Sequence, residues 1–132
     1  MSDPRGPAGD AAAGLEAARA VDDGDLLLYV AYDREGFRTH YAAEPLVEFY
    51  GGREAMREQF ERVHDYVNLD FMEREVFADV LSVGTPRAFV AYTDNSVLVR
   101  LLVGSDGVLL VLEQGADVTA VVEAVESAVV DD

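Results

Sequence analysis

The residue types that most often carry chemistry are sparse in this chain: two histidines (His40 and His64), no cysteine and no lysine. A zinc-type centre needs three or four ligands at defined spacing. His64-Asp65 with Asp70 or Glu73 could be drawn together on paper, but no HExxH or His-x-His pattern supports the set. Both histidines are therefore expected at ordinary surface or edge positions. Asp22-Asp23-Gly24-Asp25 resembles half of a calcium loop, yet Leu26 to Leu28 fall where ligands are required and the closing glutamate is missing. It reads as an acidic turn that ends a helix. Ser105 lies in Gly104-Ser105-Asp106-Gly107, whereas a nucleophile elbow needs Gly-x-Ser-x-Gly between a strand and a helix. Here both flanks read as strands, so the tetrad is a hairpin turn. Gly51-Gly52 lacks the lysine that a phosphate-cradling loop uses. The expectation is a domain with no catalytic residue, no metal and no cofactor, hence not an enzyme.

Arg100 is the one side chain singled out for a further role. It interrupts Val97-Leu98-Val99 and Leu101-Leu102-Val103 in a strand that is otherwise apolar. By alternation Val97, Val99, Leu101 and Val103 share one face, and Leu98, Arg100 and Leu102 share the other. The plain reading is an exposed arginine paired with a neighbour such as Glu113 or Asp94. The functional reading is an anchor for an anionic ligand or a salt bridge at an interface, where arginine is enriched. The aromatics Phe37, Tyr41, Phe49, Tyr50, Phe60, Tyr66, Phe71 and Phe77 read as core.

Composition bounds the rest. A chain of 132 residues, half of them hydrophobic, has the size and apolar content of one globular domain. Twenty-six acidic residues face ten basic ones, all arginine, for a net charge of −16. Such self-repulsion strains a folded state at low ionic strength. At molar salt the Debye length falls to about 3 Å and the repulsion is screened. The arginines are scattered among acids, with none of the clustering that phosphate binding requires, so nucleic acid is not an expected partner. No run approaches the length of a membrane span. Residues 1–10, rich in Pro and Gly, read as a flexible tail, and residues 11–130 as a single domain of cytoplasmic type.

The elements that must position these residues follow in order. Asp10 caps an Ala-rich helix running to about Ala20, slightly weakened by Gly14. Leu26–Tyr32 is a strand buried on both faces, Asp33–Gly36 a tight turn, and Phe37–Tyr41 a half-exposed strand with Phe37, Thr39 and Tyr41 on one face. Glu44-Pro45 opens a short helical turn broken by Gly51-Gly52. From Arg53 the spacing of Met56, Phe60, Val63 and Val67 predicts a helix ending at Asn68, with Arg57–Glu61 and Glu58–Arg62 on its outer side. Residues 69–83 fit helix or strand equally. Arg87–Thr93, Val97–Val103 and Val108–Glu113 read as three strands, the last two joined by an Asp-Gly hairpin. Asp117 caps a final helix with Val118, Val121, Val122, Val125 and Val129 on its apolar face. The fold class is α+β, a central antiparallel sheet of about five strands in the order α-β-β-α-β-β-β-α.

Three features together carry a resemblance: the apolar strand Leu26–Tyr32, the Asp33-x-x-Gly36 turn into Phe37, and the meander Arg87–Glu113 followed by Val118–Val129. They resemble the sandwich of roadblock and profilin-like domains. The chain is also similar to small acidic haloarchaeal proteins of uncharacterised function, and its acidity resembles that of proteins from a cytoplasm rich in KCl. The span from Ala42 to Pro86, with its Gly-Gly break, is longer than one crossing helix needs. What the resemblance implies is a homodimer or scaffold that binds regulatory partners and does no chemistry. The residues themselves support two readings. One is an interaction domain, homodimeric through a sheet edge or helix face, because the apolar strands supply more surface than the helices cover. The other is a small-ligand sensor with a pocket between the sheet and residues 42–83.

Overall fold

The computed structural model describes residues 10–22, 24–65, 76, 79, 81–82, 84–104 and 106–130. Its order is α1 (Ala11–Asp22), β1 (Leu26–Tyr32), β2 (Phe37–Ala42), α2 (Glu44–Tyr50), α3 (Arg53–His64), β3 (Ala88–Tyr92), β4 (Ser96–Val103), β5 (Asp106–Glu113) and α4 (Val118–Val130). The strands form one sheet in the order β2-β1-β5-β4-β3, antiparallel at every pairing, so the α+β class read from the sequence is the one found. The tail, Val67, Asn68 and the stretch beginning at residue 69 were assigned from sequence but fall largely outside the described residues. Within that stretch, the Leu81 N–H donates to the Val76 carbonyl at 2.9 Å.

Helices start where short acids can accept from free N–H groups. Asp10 Oδ1 accepts from the Ala13 N–H at 3.1 Å, and Asp117 Oδ1 from the Ala120 N–H at 3.1 Å. Gly51, at φ 95, ends α2 in the left-handed region that glycine enters without a Cβ penalty. The β1–β2 turn is closed by Asp33, whose Oδ1 accepts from the Glu35 and Gly36 N–H groups at 2.8 and 2.9 Å.

Strand alternation divides the core in two. Tyr29, Ala31, Val97, Val99, Leu101, Val108, Leu110 and Leu112 face α1 and α4, where Ala11, Ala18, Val121, Val125 and Val129 close the layer. Leu28 and Val30 face α2 and α3 and meet Val47, Met56 and Phe60. The β-branched face of α4 has modest helix propensity, so its helicity rests on this packing. Within α3, Met56 and Phe60 are buried as the spacing predicts. Val63, which the spacing puts on the same face, is instead 55% exposed. Arg57 reaches Glu61 at 2.9 Å and Glu54 at 3.5 Å, while the expected Glu58–Arg62 pair does not form.

Three details correct the sequence reading. A register shift between Tyr29 and Val30 puts a bulge into β2, so Phe37 joins the α2–α3 layer while Tyr41 turns to the α1–α4 layer. Alternation alone had placed both on one face. The β4–β5 turn falls between Val103 and Asp106, which pair with each other, and Gly104, at φ 60, supplies a positive φ of the kind such hairpins need. Asp106-Gly107 therefore belongs to the strand. Gly107 pairs with Tyr32, whose ring occupies the space a Cβ would take. Gly107→Ala should displace that ring and cost about 1–3 kcal/mol, read as a lower denaturation midpoint with unchanged circular dichroism. A neutral result would show that Tyr32 swings aside freely.

Candidate interaction surface and groove

A sheet of this order has two edges, β2 and β3, and the residues on them differ in kind. Edge strands invite pairing with other chains unless charge, proline or a bulge blunts them. Strand β2 carries Arg38 and His40 and is bent by its bulge. Strand β3, Ala-Phe-Val-Ala-Tyr, has no charge and no proline, and pairs with β4 over five consecutive positions without a shift. Its outer half is open to solvent: Val90 is 42% and Tyr92 76% exposed. The strand is held firmly from within. Arg87, just before it, reaches Glu126 of α4 at 3.2 Å, and the following turn is pinned by Thr93 Oγ1, which accepts from the Asn95 and Ser96 N–H groups.

Arg100 lies directly behind this edge. It is the cross-strand partner of Phe89, and its guanidinium sits 4.9 Å from that ring's centroid. A cation held over an aromatic face gains about 0.5–1 kcal/mol at an exposed site. The neighbours expected from sequence are elsewhere: Glu113 pairs with Ser96, and Asp94 lies in the β3–β4 turn. Arg100 therefore props Phe89 at the edge, a relation that only the strand register reveals. Phe49, counted as core from sequence, is 80% exposed on α2.

The second feature is a half-open groove of about 630 Å³ between β2 and α3, with Phe37 and Met56 among its apolar lining and Thr39, Arg57, Glu61 and His64 around them. His64 does structural work here. Its Nε2–H donates to the Asp33 carbonyl at 2.6 Å, and its ring lies against Phe37 at a centroid distance of 5.9 Å. The contact ties the end of α3 to the β1–β2 turn. Among the described residues no group of three or more His, Cys, Asp or Glu side chains is placed to hold a metal ion. Asp70 and Glu73, the other ligands that could be drawn from sequence, lie outside them. No described helix is long and apolar enough to cross a membrane.

His40, the other histidine, is set edge-on against Tyr29 at 6.0 Å. Its Nε2 and the Tyr29 hydroxyl are buried without a hydrogen-bond partner among the described residues. Burial, and then the Arg38 charge, hold the His40 pKa below its usual 6.5. Burial, and then the Asp10 carboxylate, push the Tyr29 pKa above its usual 10.0. An unfolded chain thus takes up the His40 proton before the folded one does, and stability falls as pH drops through about 6.5. The folded chain keeps the Tyr29 proton where the unfolded one releases it, so stability also falls as pH rises past about 10. Denaturation midpoints should be flat between these limits. His40→Gln should remove the acid limb and Tyr29→Phe the alkaline one; limbs that persist in both variants would contradict the assignment.

Compared with known proteins, the chain matches no family model and no curated sequence.

Proposed function

We propose that this chain is a non-enzymatic interaction or regulatory domain of a salt-loving archaeon, acting as a homodimer joined at the β3 edge. One observation carries the reading: β3 is an uncharged, unbulged edge strand with exposed Val90 and Tyr92, in a chain of net charge −16. A surface selected for solvation alone keeps charge on its edges. The roadblock-like likeness drawn from sequence is a likeness of fold alone. Fold likeness constrains function only weakly, so the edge matters more. Arg100 serves the interface by holding Phe89 in place.

Val90→Pro tests the edge. The Val90 N–H points away from β4, so proline there removes an outward donor and leaves the internal ladder whole. In multi-molar KCl the wild type should have twice the mass of its 14.3 kDa chain, and Val90→Pro should have the single mass with an unchanged circular dichroism spectrum. A folded Val90→Pro variant that stays dimeric would remove β3 from the interface.

The groove between β2 and α3 favours one alternative, a small-ligand sensor. Its volume falls within the range of small-molecule sites. A wild type that is monomeric in concentrated salt would make this the better reading.

A further inference from the structure

We propose that the groove between β2 and α3 binds a short extended peptide of about four residues with both termini free. Its carboxylate lies at Arg53 and Arg57, and its ammonium at Glu61, Asp65 and Glu35, all of which line the groove. The inference stands apart from the homodimer proposed above and names the ligand class that the sensor alternative lacks.

The α3 wall of the groove is an ordered row of charge. Arg53, Arg57, Glu61 and Asp65 recur at every fourth position and so share one face of the helix, two cations followed by two carboxylates. Helix stability does not call for this order. A helix N-terminus favours acids and a C-terminus cations, and an acid placed four residues before a cation is the better orientation. Away from the row α3 obeys that rule, with Glu54 in its first turn and Arg62 in its last. The row reverses it, and it spends two of only ten arginines in a chain with twenty-six acids. Both arginines sit in exposed ion pairs, Arg53 with Glu44 at 3.4 Å and Arg57 with Glu54 and Glu61 at 3.5 and 2.9 Å. Such pairs contribute little and give way to a ligand carboxylate.

The spacing of the charges sets the ligand's length. From Arg57 to Asp65, as from Arg53 to Glu61, the helix rises about 12 Å. A single amino acid separates its charges by far less, whereas an extended chain at about 3.3 Å per residue covers that distance in four residues. The opposite wall is β2, an edge of the sheet. The Asp33 N–H donates to the Gly36 carbonyl at 2.9 Å, and bonded and non-bonded pairs alternate from there. Arg38 therefore directs its backbone groups to Ala31 of β1, while Phe37 and Thr39, which line the groove, direct theirs outward. A peptide laid here takes main-chain hydrogen bonds from Phe37 and Thr39 and sets apolar side chains on Phe37 and Met56. It runs parallel to β2, because His64 fixes the acidic end of α3 beside the turn that starts that strand.

Titration calorimetry in multi-molar KCl with the peptide Ala-Leu-Leu-Ala tests this. At a Debye length of about 3 Å only contacts at hydrogen-bond distance survive, so each terminus must sit on its partner. The free tetrapeptide should bind saturably. Acetylating its N-terminus, amidating its C-terminus or trimming it to Leu-Leu should each weaken binding about tenfold or more. Arg57→Gln should narrow the gap between free and amidated peptide and leave the effect of acetylation intact; Asp65→Asn should do the reverse. Both positions are exposed, and both variants should keep the wild-type circular dichroism spectrum. No saturable binding at millimolar peptide, or equal binding of free and blocked forms, overturns the inference. Light scattering on the same sample reads the homodimer separately: a dimer that takes up no peptide sinks only this proposal, and a monomer that binds sinks only the other.

Discussion

Gly14→Ala should destabilise the protein by about 1–3 kcal/mol, although alanine in a helix interior is ordinarily favoured over glycine by about 0.5–1 kcal/mol. Helix propensity is the smaller effect here. Gly14 lies buried where α1 crosses β1 and α4, and a Cβ at this position would fall inside contact distance of the Tyr29 hydroxyl and 2.5 Å from Val129 Cγ1. Tyr29 is fully buried and Val129 is 5% exposed, so neither yields without moving the sheet or α4. The hydroxyl responsible also lacks a hydrogen-bond partner among the described residues. Tyr29→Phe should therefore be neutral or stabilising, because it removes a buried group whose desolvation is uncompensated. The double variant should recover only part of what Gly14→Ala loses, because Val129 Cγ1 still lies 2.5 Å from the added Cβ. Denaturant midpoints of the four proteins in concentrated KCl check this cycle. Additive effects would mean that the hydroxyl is not the obstacle.

Removing salt should have a larger effect still, the loss of the fold itself. The net charge of −16 is spread over a chain with ten arginines, and the ion pairs on the exposed side of α2 and α3 are weak. Arg53–Glu44, Arg57–Glu54 and Arg57–Glu61 all have both side chains more than half exposed, where such pairs contribute little. They cannot offset the general repulsion. At molar KCl the Debye length is about 3 Å and neighbouring carboxylates scarcely sense one another; at 0.01 M it is about 30 Å and the whole surface repels itself. Far-ultraviolet circular dichroism followed through dialysis should show cooperative loss of helix as salt is withdrawn, and recovery when it returns. A spectrum unchanged in dilute buffer would contradict the salt-adapted reading.

Much of this architecture was legible in the residues because local chemistry and tertiary packing agree. Asp10, Asp33 and Asp117 cap or close their elements as short acids do, and the alternation of Val97, Val99 and Leu101 is the core-facing row of β4. What escaped the sequence reading depends on contacts between distant residues. Gly14 read as a weak point in a helix, when the Tyr29 hydroxyl and Val129 demand it. Asp106-Gly107 carried the usual hairpin signal, but the pairing of Val103 with Asp106 moved the turn two residues earlier and left Gly107 beneath Tyr32. The bulge that separates Phe37 from Tyr41 has no local signature, since both residues suit either face.

The candidate site was half visible. Arg100 stood out because a charge in an apolar strand is unusual, but its relation to Phe89 follows only from pairing across β3 and β4. That β3 is an edge at all is a topological fact, invisible in a sequence where Arg87–Thr93 looks like any other strand. The exposure of Val90 and Tyr92, which gives the edge its meaning, comes with it.

The central claim, a domain that works as a salt-dependent pair, meets its most direct test in the solution mass by light scattering from multi-molar KCl down to dilute buffer. The account predicts twice the 14.3 kDa chain mass at high salt, with dissociation and unfolding as salt is removed. A folded monomer at every salt concentration would contradict it.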